Sequence, residues 1–414
     1  MKNKLNYTSK LFALALLSLT AAAVIFYPWS EVTASIDPAA GTAPINNSIT
    51  NNQPKVELVF VLDTTSSMSD LIDAAKEKIW SIATTMASAQ PAPEISIGLV
   101  AFRDRGDAYI TQVVDLSTDL DTIYAALMDF KTAGGGDFPE SVNQALYDAV
   151  NHISWSQTPE NKTDDTYKVI FLVGDAPPHQ HYKNEVQYPD TMRIAQHKGI
   201  IVNTIQAGEN RATTDSWKTI AALGTGHYFQ VNQNGSALAV ASPFDQKLAD
   251  LSSELDETRL YYGSKEQLLE KDKKIAATHK ITASASLASR ARRAEFNVSE
   301  SGKKNLLGDN ELIDDVISGR VKLDAIDKNN LPSPMTSMTF SEQTLLIKDT
   351  ADKRAELKQK IRQLSNDRNT YLNKLVEEEM GNIKNESLDL KLFNTLKSQA
   401  KSKGMLYDSD TPSY

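Results

Sequence analysis

The sequence predicts an α/β protein: a doubly wound, mostly parallel six-stranded sheet with one antiparallel strand, plus a helical carboxyl-terminal region. Three observations predict it. From Val56 to about Tyr262, apolar runs of strand length alternate with segments of helical periodicity, the pattern of a sheet covered on both faces. The second and third strand candidates are joined by only the five residues 103–107, too short a link to cross over, so that pair is antiparallel. Beyond Tyr262 the strand pattern stops, and charged, helix-prone stretches take its place.

The strand candidates are 56–62, 95–102, 108–114, 168–173, 200–206 and 227–231, each rich in Val, Ile, Leu or aromatic residues. The helix candidates between and after them are 70–89, 119–130, 141–153, 188–198, 215–223 and 244–261. Five segments organise the chain: an apolar leader at 1–30, a polar linker at 31–54, the α/β unit at 55–262, a mixed connecting region at 263–334 and a helical region at 335–414. In the last, Pro332 and Pro334 break the chain before a long helical pattern at 341–379. Leu357, Ile361, Leu364, Tyr371 and Leu375 fall on one face of it, interrupted by Arg368. A helical hairpin or short coiled coil is expected, with 388–400 as the partner helix. An amphipathic helix packed on its own domain is equally compatible, and the stripe also allows an oligomer through these helices. Arg354, Lys358, Lys360 and Arg362 against Glu377, Glu378 and Glu379 offer ion pairs between helices, or simply solvated faces.

The chain has 414 residues, of which 41% are hydrophobic and 23% charged, enough for a full core and a smaller second unit. Its net charge of −9 and the absence of a basic stripe argue against nucleic acid as a partner. At the amino end Lys2, Lys4 and Lys10 precede an uncharged apolar stretch from Leu11 to Trp29, which reads as an export signal. As a helix it would span about 28 Å, close to the hydrocarbon thickness, so a retained membrane anchor is the favoured form. Cleavage after Val32-Thr33-Ala34 is the alternative. Either way the bulk of the chain is expected in the cell envelope, on the outer side of the cytoplasmic membrane. There is no cysteine, hence neither a disulfide nor a lipid-modified Cys.

Three loops at the carboxyl ends of strands offer oxygen ligands, and a doubly wound sheet gathers such loops at one edge. The first carries Asp63, Thr65 and Ser67, whose alternation puts a carboxylate and two hydroxyls on one side. Hard oxygens there suit Mg²⁺, and Mn²⁺ or Ca²⁺ less exclusively. The bland alternative is a helix cap from Ser67 or Ser69. The second loop is Gly134-Gly135-Gly136-Asp137-Phe138-Pro139-Glu140, where glycines let the backbone approach a ligand. The third is Gly174-Asp175-Ala176-Pro177-Pro178, in which an Asp is also an ordinary turn residue.

Together these loops resemble the von Willebrand factor type A domain, whose metal-ion-dependent adhesion site uses an Asp-x-Ser/Thr-x-Ser turn, a second-loop ligand and a third-loop Asp. The resemblance covers about half the chain, 56–262. Asp63, Thr65 and Ser67 match the first loop, with Thr where Ser is commoner, and Asp175 matches the third. The second loop departs, with Asp137 where a Thr usually follows a glycine pair, and Glu140 and Ser141 close enough to be rivals. GGGDxPE, FRD near Phe102 and DAPPH near Asp175 are similar to a subgroup of bacterial and some animal members. The resemblance implies a metal-dependent protein-binding module rather than an enzyme, with Asp63, Thr65, Ser67, Asp137 and Asp175 as ligands. The extra carboxylate weakens the expected pull on an acidic partner.

A zinc- or magnesium-dependent hydrolase is the rival, because His179-Gln180-His181 has the spacing of a zinc pair. No third ligand, HExxH or Gly-x-Ser-x-Gly accompanies it. His227 in GTGHYF reads as a turn residue. The glycine loop lacks the Gly-Lys-Ser/Thr ending of a phosphate site.

Overall fold

In a computed structural model, the described residues are 53–136, 138–157, 165–182, 184–232, 241–380, 388–407, 409 and 411. The apolar leader and nearly all of the polar linker lie outside them, as does Asp137. Among the described residues no helix is long and apolar enough to cross a membrane.

Six strands form one sheet: β1 (Lys55–Asp63), β2 (Glu94–Phe102), β3 (Thr111–Ser117), β4 (Thr166–Gly174), β5 (Ile200–Ala207) and β6 (Thr225–Val231). Their order is β3-β2-β1-β4-β5-β6, and only the β2/β3 pairing is antiparallel, as the short link requires. The third strand begins later than expected, because residues 103–110 are used as a loop packed over the end of β1. β1 lies between β2 and β4, where the strand order reverses, and such a switch point opens a crevice at the carboxyl ends. The register brings the ends together there: Asp63 is opposite Phe102, and Leu62 is opposite Val173.

Alternation along β1 divides the core into two. Val56, Leu58, Phe60 and Leu62 face one side, beneath Trp80 and Met86 of α1 (Ser69–Ala87) and Tyr124 of α2 (Leu120–Asp129). Val59 and Val61 face the other, beneath α3 (Val142–Asn151), α4 (Tyr188–His197) and α5 (Arg211–Leu223). The last of these starts four residues before the expected 215, because the Asn210 side chain caps it by accepting from Thr213 N.

Beyond β6 come α6 (Asp245–Asp256), α7 (Lys265–Ser284), α8 (Leu287–Val298), the short α9 (Lys303–Leu307) and α10 (Leu312–Ile317), then α11 (Phe340–Met380) and α12 (Leu388–Lys401). Leu357 and Ile361 of α11 are buried against Leu248, Leu251, Ala291 and Val298 of α6 and α8. Arg368, the break in the apolar stripe, is fully buried with its Nε 2.7 Å from Asp245 Oδ1. Arg354 is buried on Glu311, the residue that caps α10, at 2.8 Å. The part of the stripe around Leu357 and Ile361 is thus packed on the chain's own helices, as an amphipathic helix on its own domain would be, while Tyr371 stays 40% exposed. The expected partner, α12, packs instead on β6 and α1, where Leu392, Phe393 and Leu396 complete one face of the sheet core.

A second polar cluster pins α8 to α2. Arg293 forks onto Asp121, with its Nε 2.7 Å from Oδ1 and its Nη2 2.6 Å from Oδ2, and its Nη1 lies 2.7 Å from Asp256 Oδ2.

Candidate metal site

Asp63 ends β1 with no exposed surface. Its Oδ1 accepts from Thr65 N at 2.9 Å and from Thr65 Oγ1 at 2.7 Å, and Thr65 Oγ1 lies 3.2 Å from Ser67 Oγ. The hydroxyls are therefore gathered by the carboxylate rather than spent on a helix. α1 starts after Met68, which makes no side-chain cap. The other oxygen, Asp63 Oδ2, is buried without a hydrogen-bond partner.

The second loop is laced to the first: Ala133 N donates to Thr64 O at 3.2 Å, and Ser66 N donates to Gly134 O at 3.4 Å. Two glycines make this approach feasible. Gly134 and Gly135 have φ of 78° and 89°, a left-handed region costly to other residues. A Cβ at 134 would stand 2.2 Å from the Asp107 carboxylate, and one at 135 would stand 3.4 Å from Thr65 Cβ and 3.6 Å from Glu140 Oε1. Gly135 thus lies between Thr65 and Glu140.

Glu140 bridges to the third loop through its backbone, donating N–H to Pro177 O at 3.0 Å and accepting from His179 N at 3.2 Å. Its side chain is 4% exposed, and Oε2 has no hydrogen-bond partner. The third loop presses in from the other side, since a Cβ at Gly174 would meet Asp63 Cβ at 2.9 Å and Oδ2 at 3.1 Å. Asp175 is partly buried, and its carbonyl accepts from Thr213 Oγ1 at 2.9 Å. Trp217, fully buried on α5, donates Nε1–H to Ala176 O at 3.0 Å and fixes the loop. Truncating so large a buried side chain costs about 3–5 kcal/mol, and here it would free the third loop as well.

A fourth loop, unassigned by the spacing of motifs, supports the other three. Arg103 Nε donates to Thr64 O at 3.2 Å and Nη2 to Lys131 O at 2.5 Å, while the guanidinium lies over the Tyr109 ring. Buried Asp104 accepts from Ser141 Oγ at 2.9 Å and stands 3.2 Å from His179 Nε2, with Tyr182 Oη 3.4 Å from its other oxygen. Asp107 accepts from Gly135 N at 3.2 Å. The signal for these residues was the FRD segment, which has charged residues directly after a buried strand.

The structure therefore brings Asp63, Thr65, Ser67, Glu140 and Asp175 to one edge. Ser141 and His179 are turned to Asp104 instead, and Asp137 lies outside the described residues. His181 is exposed while His179 is buried with its Nε2 on Asp104, and among the described residues no third His, Asp or Glu joins them as a metal-holding group.

Electrostatically the edge is a negative well. Burial, with the charge of Asp175, pushes the Asp63 carboxyl up to about 7 despite the Thr65 hydrogen bonds. Burial and the charges of Asp63, Asp104, Asp107 and Asp175 push Glu140 up to about 9. Among the described residues no group of three or more His, Asp or Glu is arranged to hold a metal by itself. The donors offered are mixed, carboxylates with hydroxyls. All are hard oxygens, and two buried carboxylate oxygens, Asp63 Oδ2 and Glu140 Oε2, have no hydrogen-bond partner, so the set fits a small divalent cation.

Residues 57–242 match the family model described as von Willebrand factor A domain. Among curated proteins, a putative ariadne-like RING finger protein of Acanthamoeba polyphaga mimivirus is 26% identical over 129 residues, which is 31% of this chain and 12% of that one. The chain thus spans about an eighth of that relative's length. Among solved structures, the SpRpn10 VWA domain is similar at 17% identity, covering 45% of this chain and 92% of that one, with a TM-score of 0.33. Proximal thread matrix protein 1 from the mussel byssus, in a form with a zinc-occupied MIDAS motif, is 16% identical over 44% of this chain and 43% of that one, with a TM-score of 0.34. The chain carries a von Willebrand factor A domain across residues 57–242.

Proposed function

We propose that this edge of the sheet binds a divalent cation, Mg²⁺ or else Mn²⁺ or Ca²⁺, and through it a protein partner. One observation carries the proposal: Asp63 is wholly buried, with Oδ1 gathering Thr65 and with Oδ2 lacking any partner. A buried carboxylate left this way is costly, and a cation is the counter-charge that the surrounding acids would favour. Asp63, Thr65 and Ser67, with Asp175 beside them and Asp137 on the second loop, are the residues that would hold it. When bound, the ion supplies a Lewis-acidic position to which an oxygen of the partner attaches. Phe138, 49% exposed two residues before Glu140, gives that partner an apolar contact beside the ion.

The module works outside the cytoplasmic membrane in this proposal, held there by the apolar amino-terminal segment and its flanking lysines. Hydrolysis at the same edge is the lesser alternative, since the histidines proposed for it are separated by burial.

The test is a thermal-shift titration with Mg²⁺, Mn²⁺ and Ca²⁺ on the full chain and on Asp63→Ala. A metal-dependent rise that vanishes in the variant supports the site, whereas an equal rise in both removes it. Capture from an envelope fraction with and without EDTA, comparing the same two proteins, then tests for the partner and its location.

A further inference from the structure

Two carboxylates at this edge are at once buried and incompletely bonded, and they come from different loops. Asp63 has no exposed surface and an unpartnered Oδ2; Glu140 is 4% exposed and has an unpartnered Oε2. Glu140 is held in place from both sides, by its backbone bonds to Pro177 and His179 and by Ser141, whose hydroxyl is fixed on Asp104. It flanks the gap at Gly135 across from Thr65, where the missing side chain leaves the space between Glu140 Oε1 and the Thr65 side chain open. Among the charged groups acting on Glu140, Asp63 on the first loop is the strongest. Like charges buried together persist only when something positive is shared between them.

We propose that Glu140 is itself a ligand of the ion, and that the site consequently carries no net positive charge before a partner arrives and takes a neutral oxygen donor, a main-chain carbonyl, amide or hydroxyl, in preference to a carboxylate. This rests on the metal-binding role proposed above. The charge balance is direct. A divalent cation carries two positive charges, Asp63 and Glu140 carry one negative charge each, and Asp175 and Asp107 add further negative charge close by. An incoming carboxylate would have to shed its hydration to meet a site with no net attraction, whereas a neutral oxygen bears a much smaller desolvation cost. Glu140 thereby acts as a specificity determinant, excluding the acidic partners that a less neutralised ion would draw.

Isothermal titration of Mn²⁺ into the full chain, Glu140→Gln and Asp63→Asn tests the ligand role. Glu140→Gln should bind Mn²⁺ at least about tenfold more weakly, a loss that even outer-shell partners of a metal commonly cause. Unchanged affinity in Glu140→Gln together with lost binding in Asp63→Asn would overturn Glu140 as a ligand and leave the metal site standing. Unchanged affinity in both would overturn the metal site itself. Thermal melts without metal check folding, and the conservative Glu140→Asp should recover part of the affinity. For the partner class, water-proton relaxation by the Mn²⁺-loaded chain is followed as acetate or N-methylacetamide is added. In the wild type acetate should displace no more bound water than N-methylacetamide does, and in Glu140→Gln, at saturating Mn²⁺, acetate should become the better competitor. Wild type already displaced more strongly by acetate would overturn the preference.

Discussion

Asp63 and Asp121 are both wholly buried aspartates, and their surroundings are opposite. Burial pushes Asp121 up as it does Asp63, but the Arg293 charge and its forked hydrogen bonds more than offset this and hold Asp121 well below the usual carboxylate range. Thr278 Oγ1 and Asn305 Nδ2 fill its remaining positions at 2.9 and 3.2 Å. Asp63 has no built-in cation beside it, only Thr65 of its own loop and Asp175 of the third, and one oxygen is left without a hydrogen-bond partner. A buried acid with a built-in cation joins distant parts of the chain, here 172 residues apart; one without a built-in cation is a place for a cation to arrive. The strand end concentrates negative charge that the fold does not neutralise, and the α2/α8 contact neutralises all that it buries.

The largest effect should come from breaking the paired region. Arg293→Ala removes the main counter-charge of Asp121 and the nearer of the two on Asp256, and should cost about 3–5 kcal/mol in urea unfolding. A loss below about 1 kcal/mol, the range of exposed pairs, would mean that the network is not what fastens the carboxyl-terminal helices to the sheet domain.

Next is the unpaired region, which metal should stabilise from outside. At a free Mg²⁺ concentration one hundred times its dissociation constant, the native state gains about 2.7 kcal/mol if the unfolded chain does not bind. Asp63→Asn should forfeit that gain while keeping the fold, and Arg293→Ala should keep the gain while losing stability. If both variants lose the metal response, the two regions are not independent.

The pH dependence of the two regions should run in opposite directions. The folded-state pKa values of Asp63 and Glu140, about 7 and about 9, exceed their ordinary values of 3.8 and 4.5, so the native state holds these protons more tightly than the unfolded chain. Their contribution is complete below the ordinary values and is lost as pH rises through about 7 and then about 9. Asp121 is depressed, so its contribution is present above its ordinary 3.8 and is lost as pH falls toward its folded-state value. Unfolding midpoints in EDTA should therefore decline from mildly acidic to alkaline pH, with a flatter profile in Glu140→Gln. Saturating Mg²⁺ should abolish the decline, because the ion takes the place of the protons.

This contrast was only half legible in the sequence. Asp63, Thr65 and Ser67 could be read because their geometry is local, a turn closing a strand whose apolar run is plain. Glu140 stood out only as a rival to Asp137, since its burial comes from the bridge to Pro178, 38 positions on. Asp104 and Asp107 passed as a mere connection because nothing in residues 103–107 says that they fold back over the end of β1. Arg368 looked like a fault in an apolar stripe; its partner Asp245 lies 123 positions away, and such pairs have no sequence period. Strands announce themselves by composition, whereas the pairing of buried charges is decided by the tertiary fold.

The smallest effects come from two hydroxyls on either side of the same edge. Ser141 is wholly buried and donates to Asp104; Ser67 is exposed, with its Oγ 3.2 Å from Thr65 Oγ1. Removing the first leaves a buried carboxylate short of a donor, so Ser141→Ala should cost about 1–3 kcal/mol with or without metal. Removing the second touches a group that water can replace, and Ser67→Ala should change metal-free stability by less than about 0.5 kcal/mol. Its effect should appear in the Mn²⁺ titration, as weaker binding, because the hydroxyl belongs to the donor set and not to the core. Urea melts in EDTA and calorimetric titration of the same two variants measure both. Equal metal affinity in Ser67→Ala and wild type would move the ion away from the Asp-Thr-Ser turn and toward the Glu140 side, leaving Ser67 as an ordinary surface residue.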